Sequence, residues 1–259
     1  MHQTQLQVPA SARQACSSRL AFFDVDETLI AGKSMLDFLH SAPDSLWGPL
    51  HADAPAQTRG TAGLEMLAGL AERKASRAEM NRAYYELYAG VRLSELQAAG
   101  RDWYATFASR PAPYVTAGIA ALAQHRRAGH TVVLVSGSAH PFVDPVAEAL
   151  GAELVLCTEL EVDEKDVLTG SVTRSMIGTD KARAVSELSK RLGVAAEECF
   201  AYGDHASDLA MLQAVGTAVV VGTDPVLLRH AQRQNWSALS GTTGRWTPEG
   251  AKAQAHRGT

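Results

Sequence analysis

The sequence predicts an α/β protein: a parallel sheet with helices on both faces, and an all-helical insertion after the first strand. Three observations carry this. Apolar or β-branched runs recur at 20–23, 131–135, 154–157, 199–202 and 218–221, and short runs of this kind bounded by polar residues read as buried parallel strands. Helical stretches alternate with them, three closed by Gly129, Gly151 and Gly193, and that alternation is the mark of helices packed on a parallel sheet. Between roughly Gly32 and Arg110 the pattern is helical, with no strand.

Each element follows from its residues. The run 20–23 leads directly into Asp24, Val25 and Asp26. Burying an unpaired carboxylate inside a sheet is costly, so both acids belong at the strand's C-terminal end, where open α/β sheets place their ligands. In the insertion, Leu64, Leu67, Ala68 and Ala71 share one helical face. Tyr84, Leu87, Tyr88 and Val91 share a second, and Leu93, Leu96, Trp103 and Phe107 a third. Pro43, Pro49 and Pro55 punctuate the segment. Pro111 and Pro113 open a helix through Ala128. A helix near 145–150 precedes the strand 154–157, and 158–162 with 170–173 form a hairpin around an acidic turn. A helix at 180–192, a strand at 199–202, a helical stretch at 207–213, a strand at 218–221 and a helix at 224–233 complete the core. Residues 1–18 and 240–259 carry no core signal and are expected to be disordered tails. The expected division is therefore a core of 19–32 and 111–239 around an inserted cap of 33–110.

Composition sets the class. With 259 residues, 46% hydrophobic and 20% charged, the chain is an ordinary globular protein. A formal net charge of -4 gives no footing for a nucleic-acid partner. No apolar stretch is long enough to span a membrane, and residues 1–19 lack the apolar core of a secretory signal. The 3 cysteines (Cys16, Cys157, Cys199) form neither a zinc pattern nor a disulfide framework. A reducing, cytoplasmic location is the default expectation.

Chemistry-bearing residues follow the strands in a consistent order: Asp24 and Asp26 after the first, Ser136-Gly137-Ser138 after the second. Lys181 opens the helix at 180–192, and Asp204 and Asp208 follow 199–202. Singly, each has an ordinary explanation: an acidic turn, a serine–glycine turn, a solvated lysine, an acid at a helix N-terminus. The joint order is what those explanations leave unaccounted for.

That order and spacing closely resemble the haloacid dehalogenase superfamily, in its phosphoserine-phosphatase-like branch with a helical cap, over roughly residues 20–222. The resemblance implies a Rossmann-like core and a Mg2+-dependent phosphatase that hydrolyses a small phosphate monoester through an aspartyl phosphate. It implies Asp24 as nucleophile and Asp26 as the group that protonates the leaving oxygen and then deprotonates water. Ser136 and the Gly137 amide would hold phosphate oxygens, and Lys181 would neutralise charge. Asp24, the Asp26 carbonyl, Asp204 and Asp208 are the implied Mg2+ site. Thr28 would orient the loop. His205 stands where the family usually has a small residue, and is expected at the rim because Mg2+ prefers oxygen ligands.

Two departures bear on the substrate. Dehalogenases and phosphonate hydrolases of the superfamily lack an acid at the position of Asp26, so Asp26 favours phosphate esters. A phosphotransferase or phosphomutase with the same nucleophile is the alternative, and a non-catalytic ligand-binding member of the fold is the other. Phosphoserine phosphatases carry an ammonium-binding glutamate where this chain has Lys33. Lys33 repels an ammonium and suits a second anionic group, or else stands exposed at the cap hinge. The expected partner is a small phosphorylated metabolite, with neither nucleic acid nor membrane.

Overall fold

The computed structural model describes residues 18–42, 46 and 59–246. The expected N-terminal tail (but for residue 18), Cys16, Pro43, Pro49, Pro55 and residues 247–259 lie outside them. Among the described residues, seven strands form one sheet in the order β5-β4-β3-β1-β6-β7-β8. They are β1 (Leu20–Phe23), β3 (Thr131–Ala139), β4 (Leu154–Val162), β5 (Leu168–Arg174), β6 (Cys199–Gly203), β7 (Thr217–Val221) and β8 (Ser237–Leu239). All neighbours run parallel except β4 and β5, the expected hairpin.

β1 is central, and its period-2 side chains build two cores. Ala21 and Phe23 face one, Leu20 and Phe22 the other. On the first face lie α5 (Thr116–Arg127) and α6 (His140–Leu150), through Ile119, Leu122, Phe142 and Val146. On the second lie α7 (Thr179–Leu192) and α9 (Pro225–Gln234), through Val185, Leu188 and Leu227. The short α8 (Leu209–Leu212) buries Met211 and Leu212 there as well.

The insertion is all-helical: α1 (Ser34–Ser41), α2 (Arg59–Glu72), α3 (Arg77–Glu86) and α4 (Leu93–Ala108). Ser76 starts α3 with a capping box, its hydroxyl accepting from Glu79 N–H while the Glu79 carboxylate accepts from Ser76 N–H. Phe38, Tyr84, Tyr88, Trp103 and the core's Phe142 form one aromatic cluster, with Phe38 and Phe142 centroids 4.7 Å apart. Gly100 lets α4 lie against α6 so closely that a Cβ there would stand 2.0 Å from the Pro141 carbonyl oxygen. The β4–β5 hairpin also grips the insertion: Gly90 N–H donates to the Leu168 oxygen and Leu168 N–H to the Val91 oxygen, each at 2.8 Å.

Several expectations are corrected. Residues 240–246 are ordered: β9 (Thr243–Gly244) pairs antiparallel with β2 (Tyr114–Val115), and Trp246 packs edge-on against Tyr114. β2 also delays the helix expected from Pro111, which begins at Thr116. α6 begins at His140 rather than near 145, because Pro141 sits in its first turn, where a missing N–H costs nothing. β3 runs on through Ser136–Ser138 to Ala139, with a register shift against β4 that opens its ladder there. Ala68 and Ala71 are exposed, and α2 buries Gly63 and Leu67 instead. Cys157 and Cys199 are buried free thiols. Among the described residues, no helix is long and apolar enough to cross a membrane.

Candidate active site

β1 ends between the C-terminal ends of β3 and β6, so three chain segments deliver side chains to one place. Asp24 continues the β1–β6 pairing by donating its N–H to the Tyr202 oxygen at 2.9 Å, and its side chain is buried. The chain then doubles back: Leu29 and Ile30 both donate to the Val25 oxygen, and Glu27 takes a left-handed φ of 62. This tight loop buries Thr28, whose hydroxyl lies 3.3 Å from both Asp24 Oδ2 and Asp204 Oδ1.

Lys181 enters from the first turn of α7, buried, and bonds Asp24 and Asp208 together, the latter at 2.7 Å. Asp208 lies beneath β6 on the 3-10 turn Ala206–Asp208. Only a glycine fits above it, since a Cβ on Gly203 would meet Asp208 Cβ at 2.7 Å. Asp26 points to the other side. Its Oδ1 accepts from Ser34 N–H at 3.0 Å, at the N-terminus of α1, and its Oδ2 lies 3.5 Å from Ser138 Oγ. Ser136 is buried, and its hydroxyl accepts from Ser138 N–H at 3.1 Å.

The electrostatics follow from crowding acids in a dry place. Burial, with Asp24 beside it, raises Asp26 to about 6. Burial together with Asp24 and Asp208 raises Asp204 to about 9, and burial raises Asp208 as well. Burial pulls the Lys181 ammonium down, but Asp208 and Asp24 outweigh it and hold the group above its ordinary value. One lysine therefore does not neutralise this cluster. Asp24, Asp204 and Asp208 each offer a carboxylate oxygen within 4.8 Å of the others. A hard divalent cation with oxygen ligands fits that donor set and its surplus of negative charge.

A cavity of about 340 Å³ opens above the cluster. Every residue expected at the site lines it: Asp24, Asp26, Lys33, Ser136, Gly137, Lys181, Asp204 and Asp208. Lys33 is at the mouth and exposed, 3.5 Å from the Glu27 carboxylate. His205 is at the rim as expected, with Nδ1 accepting from Ser207 N–H at 3.0 Å. The far wall comes from the insertion, whose lining residues the sequence leaves unassigned: Met35, Leu36, Leu67 and Met80, with Arg77 and Asn81 from α3. Arg77 donates to Ser207 Oγ at 3.1 Å. Arg77, Asn81 and Tyr85 are spaced four apart on α3, a signal that a polar face equally gives when it points to solvent.

The profile of the haloacid dehalogenase-like hydrolases matches residues 21–213. The chain is 34% identical over 221 residues to a probable phosphatase of Mycobacterium tuberculosis, covering 85% of this chain and 74% of that one. It is 32% identical over 225 residues to the same organism's phosphoserine phosphatase SerB1, covering 83% and 68%. Among solved structures it resembles a Bordetella pertussis protein of unknown function, with a TM-score of 0.72, 20% identity and coverage of 87% and 100%. A substrate-bound phosphoserine phosphatase gives 0.57, 18%, 84% and 98%. These two likenesses are of fold.

Proposed function

The chain belongs to the haloacid dehalogenase-like hydrolases, and on that premise we propose that it is a Mg2+-dependent phosphatase of small phosphate monoesters, with Asp24 as nucleophile. The observation that carries this reading is the cluster around Asp24. One carboxylate at the end of the central strand is bonded to a buried lysine, ringed by two further acids, and followed two residues later by a fourth. Residues 33–110 act as the cap in this reading, over a core of 19–32 and 111–239.

In the first half-reaction an Asp24 carboxylate oxygen attacks phosphorus, the ester P–O bond breaks, and Asp26 gives its proton to the departing oxygen. An acid held near 6 keeps a usable protonated fraction at neutral pH. In the second, Asp26 takes a proton from water as the water oxygen attacks the acyl phosphate, and the bond from phosphorus to Asp24 breaks. Ser136 O–H and Gly137 N–H donate to phosphoryl oxygens, and Lys181 sets its charge against both Asp24 and the transferring group. Asp24, the Asp26 carbonyl and Asp204 would hold Mg2+, with Asp208 in support. The cation would supply charge neutralisation that a carboxylate needs to approach a phosphate dianion.

The cavity speaks to the leaving group. Its far wall is apolar at Met35, Leu36, Leu67 and Met80. Beyond the four acids of the cluster, the carboxylate that lines it is Glu27, which faces Lys33. Arg77 lines it with a hydroxyl as its bonded partner. A leaving group with an apolar stem and an anionic end fits these walls, and a free ammonium does not. The test is phosphate release from a panel of small phosphate esters, with and without Mg2+, beside Asp24→Asn. Mg2+-dependent release lost in the variant is expected. Equal release by Asp24→Asn overturns the reading.

A further inference from the structure

We propose that Asn81, a residue of the insertion, is a positioning residue for the phosphate pocket: it fixes the Gly137–Ser138 peptide, and through it the hydroxyl of Ser136. The proposal rests on the reading that Ser136 and Gly137 hold the phosphate.

Three consecutive residues at the end of β3, Gly137 to Ala139, are each bonded by a side chain from the insertion. Asn81 Nδ2 donates to the Gly137 oxygen at 2.8 Å. Ser34 Oγ lies 2.7 Å from Ser138 Oγ, and Ala139 N–H donates to the Tyr85 hydroxyl at 2.6 Å. The loop needs these partners, because its ladder to β4 is interrupted between Ser136 and Ala139. The amide of Asn81 has one orientation open to it, since a carbonyl oxygen can only accept. Its Oδ1 faces Ser175 Oγ at 3.5 Å, and the residue is 3% exposed.

The effect on phosphate binding runs through one peptide plane. The Gly137 carbonyl is held by Asn81 and by Thr158 Oγ1 at 2.7 Å, and the N–H at the other end of the plane is given to Ser136 Oγ. With that lone pair of Ser136 engaged, its own proton is turned away from Ser138 and is available to the anion. Glycine lets this peptide rotate at little steric cost, so an outside tie is what keeps it in place. One of the two ties on the Gly137 carbonyl, Asn81, comes from the insertion, so the peptide is fully held only while α3 is docked. That links closure over the leaving group to assembly of the phosphoryl cage.

The test uses Asn81→Leu, which keeps the volume and removes the donor, and Asn81→Asp, which is isosteric and sets a carboxylate against the Gly137 carbonyl. Asp166→Asn is the control. Asp166 accepts from Ser94 N–H and O–H at 3.2 and 2.6 Å, so this change loosens the insertion from the β4–β5 hairpin without touching the phosphate loop. Inhibition by inorganic phosphate, kcat and KM for a small phosphate ester, and Tm are read for each. Both Asn81 variants are expected to weaken inhibition by phosphate and lower kcat/KM, each about tenfold, the worth of one well-placed hydrogen bond. Asp166→Asn lowers Tm and leaves phosphate inhibition at the wild-type value. Wild-type phosphate inhibition in a folded Asn81→Leu or Asn81→Asp protein overturns the proposal, as does an equal loss in Asp166→Asn. A wild-type protein that releases phosphate from no ester overturns the phosphatase reading itself.

Discussion

Replacing Gly203 by alanine tests whether the acid cluster works through close positioning. A Cβ at 203 would stand 2.7 Å from Asp208 Cβ and 3.0 Å from its Oδ2, where an ordinary contact begins near 3.4 Å. Asp208 would have to retreat by about 0.7 Å. It has little room to do so, being 1% exposed and bonded to Lys181 at 2.7 Å. A retreat of that size takes the ion pair past ordinary hydrogen-bond length and lets the Lys181 ammonium shift from Asp24. Overpacking of this kind costs about 1–3 kcal/mol, and a displacement approaching 1 Å in a reacting group can cost about 100-fold in rate. The assay is kcat for a small phosphate ester with Tm measured alongside. Gly69→Ala serves as the control, since nothing lies within 4 Å of a Cβ there and Gly69 is inside a helix. Gly203→Ala is expected to lose turnover by one to two orders of magnitude and to melt lower, while Gly69→Ala keeps its turnover and melts no lower. Wild-type turnover in Gly203→Ala refutes the argument that Asp208 acts through tight contact with Lys181.

Three further outcomes follow from the same geometry. Asp26→Asn lowers kcat by about 10²–10⁴, the span of general acid–base catalysis, and leaves Tm close to the wild-type value because the amide keeps an acceptor for Ser34 N–H; steady-state kinetics and a melt decide it. Mg2+ raises Tm of the wild-type protein, by about 2.7 kcal/mol of stability at a hundredfold excess over its Kd, and raises it much less in Asp204→Asn; calorimetry with and without chelator reads the difference. His125 is buried with His130 at 2.7 Å and the Tyr202 hydroxyl at 2.8 Å, and burial lowers it to about 4. The unfolded chain takes up that proton near 6.5 and the folded one does not, so stability is full above 6.5 and falls as pH drops toward 4. Melts across that range show the slope, and it shrinks in His125→Gln.

Much of the site is legible in the sequence because its residues are tied to strand ends, and strand ends are what an apolar run followed by polar residues marks. Asp24, Ser136 and Asp204 come from three parallel strands that are neighbours in the sheet, so one reading of the strands brings all three together. The glycines after three helices are similarly readable: Gly129, Gly151 and Gly193 have φ of 74, 66 and 70, which a side chain disfavours. The C-terminal strands β8 and β9 are not readable. β8 and β9 are short and partly exposed, and β9 exists through its pairing with Tyr114 and Val115 far away in the chain. The far wall of the cavity escapes for a related reason. Arg77 and Asn81 look like the wet face of an amphipathic helix until the fold turns that face onto the cavity, with Arg77 bonded to Ser207 and Asn81 to Gly137.

The most direct measurement is where the phosphoryl group becomes attached. The protein is mixed with a small phosphate ester and Mg2+, quenched, reduced with borohydride and digested for peptide mass analysis. Reduction of Asp24 to homoserine is expected, dependent on the ester and confined to that residue. Modification at any other residue, or continued ester hydrolysis by Asp24→Asn, contradicts Asp24 as the nucleophile.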